Sequence, residues 1–124
     1  MMASDVVTPQ LIERRLRDLS HEVDESHDDL VNVESKYHQL KAAYEVSMAR
    51  SRIKYASVSS PTGKNYTVGE REDLAIIENE ELHIQMATVE AMVKASRANA
   101  ARLKTQVDIA RSIGTSVRTS MDAI

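Results

Sequence analysis

The chain has 124 residues, enough for one domain, and its 42% hydrophobic and 28% charged residues place it outside both the disordered and the membrane-spanning classes. With no Phe or Trp and only four Tyr, a core built from a single copy is thin, and self-association is the expected remedy. The absence of Cys excludes disulfides and thiolate chemistry, and the net charge of −3 argues against a generally basic protein that coats nucleic acid.

The first residues, Met1-Met2-Ala3-Ser4-Asp5, show neither a basic n-region nor an apolar h-region, and the longest apolar run is residues 74–77. No leader and no membrane association is expected, and the protein reads as cytoplasmic. Thr8-Pro9 opens the first predicted element, with a hydroxyl at the N-cap and proline at the first helical position, where its missing N–H costs nothing. Apolar residues then recur at alternating spacings of four and three: Ile12, Leu16, Leu19, Val23, then Leu30, Val33, Tyr37, Leu40, Tyr44 and Met48. That is a heptad-like seam, weakened at Ser26 and Ser47. The spacing predicts a helix over 9–57, about 70 Å long at roughly 1.5 Å per residue, too long to be buried inside a compact monomer.

Residues 58–68 hold Pro61 and Gly63 and read as a turn. A second helix, predicted over 69–113, opens on Thr67-Val68-Gly69-Glu70, a capping box in which the threonine oxygen takes an orphan amide and the glutamate reaches back. Its seam is Leu82, Met86, Val89, Val93, Ser96, Ala100, Leu103, Val107 and Ala110. A second stripe, Ile77, Ile84, Ala91, Ala95 and Ala98, passes on to Ile109, Ile113, Val117 and Met121. One stripe suffices for a hairpin, so the surplus face implies contacts between subunits, carried by Ile77, Ile84, Ile109, Ile113, Val117 and Met121. Gly114 is expected to end or bend the helix and leave 114–124 as a C-terminal helical arm. The predicted fold is all-α: a long antiparallel, coiled-coil-like helical hairpin forming a single domain over 1–124 and assembling into an oligomer.

Charge is distributed in blocks. Residues 18–34 carry seven acids and no Lys or Arg, 36–54 five bases against Glu45, 70–90 seven acids against Arg71, and 91–120 six bases against Asp108. An antiparallel fold at about residue 62 sets the basic end of the first helix beside the acidic start of the second. It also sets the acidic block beside Lys94, Arg97, Arg102 and Lys104, with His27 near Ala98. Exposed pairs contribute only about 0.2–1 kcal/mol each, so they report register rather than stability.

Little in the chain points to catalysis. Glu80 and Asp24 precede His83 and His27 by three residues, the spacing used in di-iron bundles, but the register separates the two pairs, and surface histidines are the better reading. Thr62-Gly63-Lys64-Asn65 lacks the upstream glycine and following hydroxyl of a phosphate loop, and no serine or threonine has a meaningful histidine and acid. The chain reads as a non-enzyme with no catalytic residue, metal or cofactor. The end of the first helix is different: Arg50, Arg52 and Lys54, with Lys64 in the turn and Tyr55 and Tyr66 flanking it, combine cations for phosphates with aromatic surfaces for bases. The plainer reading is that these are the usual cations of a helix C-terminus, paired with Glu70, Glu72 and Asp73.

The run Arg50-Ser51-Arg52-Ile53-Lys54-Tyr55 and the later Asp108-Ile109-Ala110-Arg111-Ser112-Ile113-Gly114-Thr115-Ser116-Val117-Arg118 resemble two motifs of the UvsY family, the recombination mediators of T-even bacteriophages and small phage proteins like them. The resemblance covers roughly residues 28–121 in order and context, although each motif is short. It implies an oligomeric, ring-forming protein that binds single-stranded DNA and helps load a RecA-type recombinase onto strands covered by single-strand-binding protein. The family's DNA-contacting basic pair falls on Arg50 and Arg52, and its assembly helix on the region of Ile109, Ile113 and Val117. The net acidic charge and low aromatic content depart from what strong DNA binding asks for. The alternative is a non-enzymatic structural or adaptor protein, a phage virion or assembly component, acting only through protein contacts.

Overall fold

The computed structural model of the protein describes residues 7–122. Among them three helices take nearly the whole chain: α1 (Pro9–Ser57), α2 (Val68–Glu78) and α3 (Glu80–Asp122). The protein is all-α, as its apolar spacing predicts. Among the described residues no helix is long and apolar enough to cross a membrane.

α1 starts as expected: Thr8 Oγ1 accepts from the Leu11 N–H at 3.3 Å and the Thr8 carbonyl from the Ile12 N–H at 3.2 Å. It ends where the Ser57 hydroxyl turns back onto the carbonyls of Ile53 and Lys54. The connection to α2 closes on itself. Ser59 bridges Asn65, the Ser60 N–H reaches the Lys64 carbonyl at 2.8 Å, and the Gly63 N–H reaches the Ser60 carbonyl at 2.9 Å. Pro61 presets the second position of that turn, and Gly63 supplies a φ of 82° that a side chain would strain. The capping box then forms in full, with Glu70 N–H on Thr67 Oγ1 and Thr67 N–H on Glu70 Oε1, each at 3.1 Å.

Two boundaries differ from expectation. The single helix predicted over 69–113 begins at Val68 and is interrupted at Asn79, which separates α2 from α3 with φ −107° and ψ 22°. The helix also runs on through Gly114 to Asp122, so 114–122 continues α3 instead of forming a separate arm; residues 123–124 lie outside the described residues. Gly114 is there for space. A Cβ at this position would sit 2.9 Å from Ile12 Cγ2, so glycine lets α1 approach and pays in helix propensity rather than in chain reversal.

Contacts divide the chain into two compact units, each holding a stretch of α1 antiparallel to a later stretch. In the terminal unit (Met1–Val31, Lys94–Ile124), Leu19, Leu103 and Ala110 form the buried cluster, with Leu16 and Val107 against it. Ile12 lies by Gly114, Arg15 Nη2 donates to Gln106 Oε1 at 3.3 Å, and Asn99 Nδ2 donates to Ser26 Oγ at 3.5 Å. With 26 facing 99, the register is the one expected for His27 near Ala98. In the loop unit (Asn32–Val93), Met48, Ala75, Val89 and Val93 are buried, and Tyr44 meets the ring of His83 at 5.5 Å. Ser26 and Ser47, which look like gaps in the apolar seam, are part of it: Ser26 is bonded by Asn99 of α3, and Ser47 donates to Asn79 at the junction of α2 and α3.

Candidate nucleic-acid and assembly surfaces

The end of α1 belongs to the loop unit, and its geometry follows from Ser51. This residue continues the four-three seam from Ser47 and is buried, so Arg50 and Arg52 emerge on either side of it. Arg52 grips Glu72 with both nitrogens, Nε to Oε2 at 2.7 Å and Nη2 to Oε1 at 2.8 Å. That bidentate hydrogen bond holds the Glu72 carboxyl below its ordinary value, in spite of partial desolvation that acts the other way. Lys54 Nζ reaches Glu78 Oε1 at 2.8 Å and lies 5.1 Å from the centre of the Tyr55 ring. Glu78 is likewise held below its ordinary value, first by the hydrogen bond from Lys54.

Two of the expected DNA-contacting cations are therefore already matched by carboxylates of α2. The plainer reading named Glu72 correctly. Glu70 serves the capping box instead, and Glu78 was not anticipated. Arg50 and Lys64 are exposed, and neither side chain has a partner among the described residues. Tyr55 and Tyr66 are half-buried and meet edge to face, with ring centres 5.9 Å apart, so each covers part of the surface the other would offer a base. Arg71, half-buried, fixes the entry to α2 by donating to the Tyr66 carbonyl at 3.2 Å.

Beside these groups lies a buried polar cluster that the apolar pattern conceals. Asn79 accepts from the Ser47 hydroxyl, and its Nδ2 faces Ser51 Oγ at 3.0 Å and the Ala75 carbonyl at 2.8 Å. Its own N–H caps the last carbonyls of α2. Among the described residues, no buried side-chain nitrogen or oxygen is left without a partner. Spacing could have found this residue, because 75, 79 and 82 extend the seam of α3 backward by four and three.

The expected assembly residues divide between the units. In the loop unit Ile77 and Ile84 are exposed, at 67% and 56%, and Ile84 borders a shallow groove of about 260 Å³ with Leu40, Val89 and Met92. In the terminal unit Ile109, Ile113 and Met121 are exposed, whereas Val117 is half-buried and follows Ala110 and Gly114 on the seam spacing.

The predicted pairing of charge blocks is met at the end of α1, and Glu34, Lys94 and Arg97 of the other two blocks each have a partner. The basic end of α1 does meet the acidic start of the second helical segment, at Glu72 and Glu78. In the terminal unit Asp18, Glu22, Asp24, Asp28 and Asp29 make no ion pair among the described residues, and Arg102 donates to Asn99 instead. The acids occupy outward positions of α1, while Ser20 and His27 stand where α1 faces the flank of Lys104 and Arg111. Among the described residues no group of three His, Cys, Asp or Glu is arranged to hold a metal ion. No protein family, no curated protein and no solved structure matches the chain.

Proposed function

We propose that this is a non-enzymatic helical protein that assembles into an oligomer, a ring by analogy with the UvsY proteins it resembles. In this reading it binds single-stranded DNA and helps load a RecA-type recombinase onto strands covered by single-strand-binding protein. The observation that carries the DNA contact is the pair of unpartnered, exposed cations Arg50 and Lys64 in the same unit as Tyr55, Tyr66 and Lys54. Arg52 and Lys54 join them only when phosphates replace Glu72 and Glu78, so binding by one copy is weak and several copies must act together. Exposed Ile77, Ile84, Ile109, Ile113 and Met121 supply apolar surface for that assembly.

The test is an anisotropy titration with labelled oligo(dT) at two salt concentrations, run beside light scattering. Binding should weaken steeply with salt, and R50A/R52A should weaken it with the oligomer intact. Glu72→Gln with Glu78→Gln should tighten it several-fold by freeing Arg52 and Lys54. The ion pairs themselves favour a second reading, a structural or adaptor protein whose helix-end cations only hold α2 in place. It predicts oligomers, no DNA affinity, and no gain from the glutamine variants.

A further inference from the structure

On one flank of the terminal unit, α1 and α3 leave an open groove of about 430 Å³ with an apolar floor of Leu16, Val23, Ala100 and Val107. Its rim is basic. Lys104 and Arg111 are seven residues apart and so lie in one row on α3, roughly 10 Å apart along the helix. Neither has an ion-pair partner among the described residues. Across the groove α1 presents Ser20, and the one carboxylate on the rim, Asp108, makes no ion pair with either cation. Apolar floor and unmatched cations call for an occupant with acidic groups at the same pitch.

This chain carries such a surface. Glu22 and Asp29 are also seven residues apart, are exposed, and are unpaired among the described residues, with no Lys or Arg between 18 and 34 to neutralise them. They fall seven and fourteen residues after Arg15, whose guanidinium bonds Gln106, and therefore lie on the flank of α1 that Arg15 and Gln106 mark. Lys104 is two residues, about 200° of helix, from Gln106, so the groove opens on the other flank. Acidic row and basic groove thus face opposite ways within one unit. A two-fold pair that joins a surface to itself would set like charges together, whereas a head-to-tail contact sets Glu22 and Asp29 against Arg111 and Lys104.

We propose that the groove of the terminal unit receives the acidic row Glu22 and Asp29 of a second copy, so that copies associate head to tail, each giving its groove to one neighbour and its acids to another. This rests on the reading of the chain as an assembly and is independent of the DNA contact.

Light scattering on the full chain tests it, at about 0.05 M and about 0.5 M salt, which brackets strong and weak screening at this range. Wild type should form species larger than a dimer at low salt that shrink at high salt. K104E/R111E should abolish them, E22K/D29K should do the same, and the chain carrying all four changes should regain them. Circular dichroism checks that helicity is kept, and K104Q/R111Q serves as a milder variant if the reversal unfolds. A wild type that is monomeric or no larger than a dimer at low salt overturns the proposal. So does a K104E/R111E or K104Q/R111Q protein of unchanged mass, or a four-fold variant that fails to reassemble. If I109Q/I113Q dissociates the oligomer while K104E/R111E does not, the head-to-tail contact is wrong and the assembly reading stands. Loss of oligo(dT) binding alone touches neither.

Discussion

In the terminal unit α1 meets α3 through Leu16, Leu19, Leu103, Val107 and Ala110, and Asp18, Glu22, Asp24, Asp28 and Asp29 of α1 make no ion pair among the described residues. In the loop unit the seam holds Ser47, Ser51 and Asn79, and the charges beside it are joined, Arg52 to Glu72 and Lys54 to Glu78. The difference is one between adhesion and register. A seam mostly of leucine, valine and alanine with a seven-residue period looks nearly the same after a shift of seven. Apart from the long 3.5 Å contact of Ser26 with Asn99, it therefore contributes burial without naming a partner residue. An amide that needs two hydroxyls and a carbonyl has one alignment in which all are met, and buried polar groups of this kind are the best-attested way to fix pairing. The unmatched charges leave the terminal unit with surfaces still available to another molecule.

That contrast can be broken from either side. Leu19→Ala empties the one large side chain that is fully buried among the described residues and should cost the terminal unit about 2–5 kcal/mol, seen as accelerated hydrogen exchange there before the loop unit responds. Uniform loss of protection in both units would show that they unfold together. Asn79→Ala removes the acceptor of Ser47 and the side-chain donor to Ser51 and the Ala75 carbonyl, and should cost about 1–3 kcal/mol. Asn79→Leu should be tolerated better thermally yet give more than one set of amide resonances, since the seam then no longer specifies its register. A single sharp spectrum for that variant would remove the register argument.

Gly114→Ala sets a helix-propensity gain of about 1 kcal/mol against overpacking on Ile12, for a net loss of about 1 kcal/mol. Combining it with Ile12→Ala should cost less than the sum of the two changes, a coupling that denaturation of the four proteins in the cycle measures. The smallest effect is that of pH. Glu72 and Glu78 titrate lower in the folded chain than in the unfolded one, so the stability they contribute is present above about pH 4.3, the ordinary glutamate value, and is lost as pH falls through their depressed values. E72Q/E78Q should accordingly melt below wild type at pH 7 and converge on it in acid; a gap independent of pH would mean that the carboxylates act through packing rather than charge.

Much of this arrangement was legible from local rules. Thr8-Pro9, the Thr67–Glu70 capping box and the four-three seams rest on neighbours within a turn or two, and they appear where expected. The break at Asn79 was not legible, because asparagine is only mildly unfavourable in a helix and its partners Ser47 and Ser51 are about thirty residues away in sequence. Gly114 misled for a related reason: propensity marks glycine as a terminator, while its use here depends on a methyl group of Ile12 from the other end of the chain. For the candidate site, composition located the cations of α1 but not their occupancy. Whether Arg52 and Lys54 are free depends on the rotational phase of Glu72 and Glu78 on α2, and block charges average that phase away.

The closed connection between α1 and α2 has a practical corollary. Because Ser59 pairs with Asn65 and Ser60 with Lys64, the strain of reversing the chain is confined to the three residues 61–63 at the apex, and space around Gly63 is open. Foreign sequence spliced between Thr62 and Gly63 should leave both flanking helices standing, which makes that apex the natural position for a fluorophore, an affinity handle or the new ends of a permuted chain.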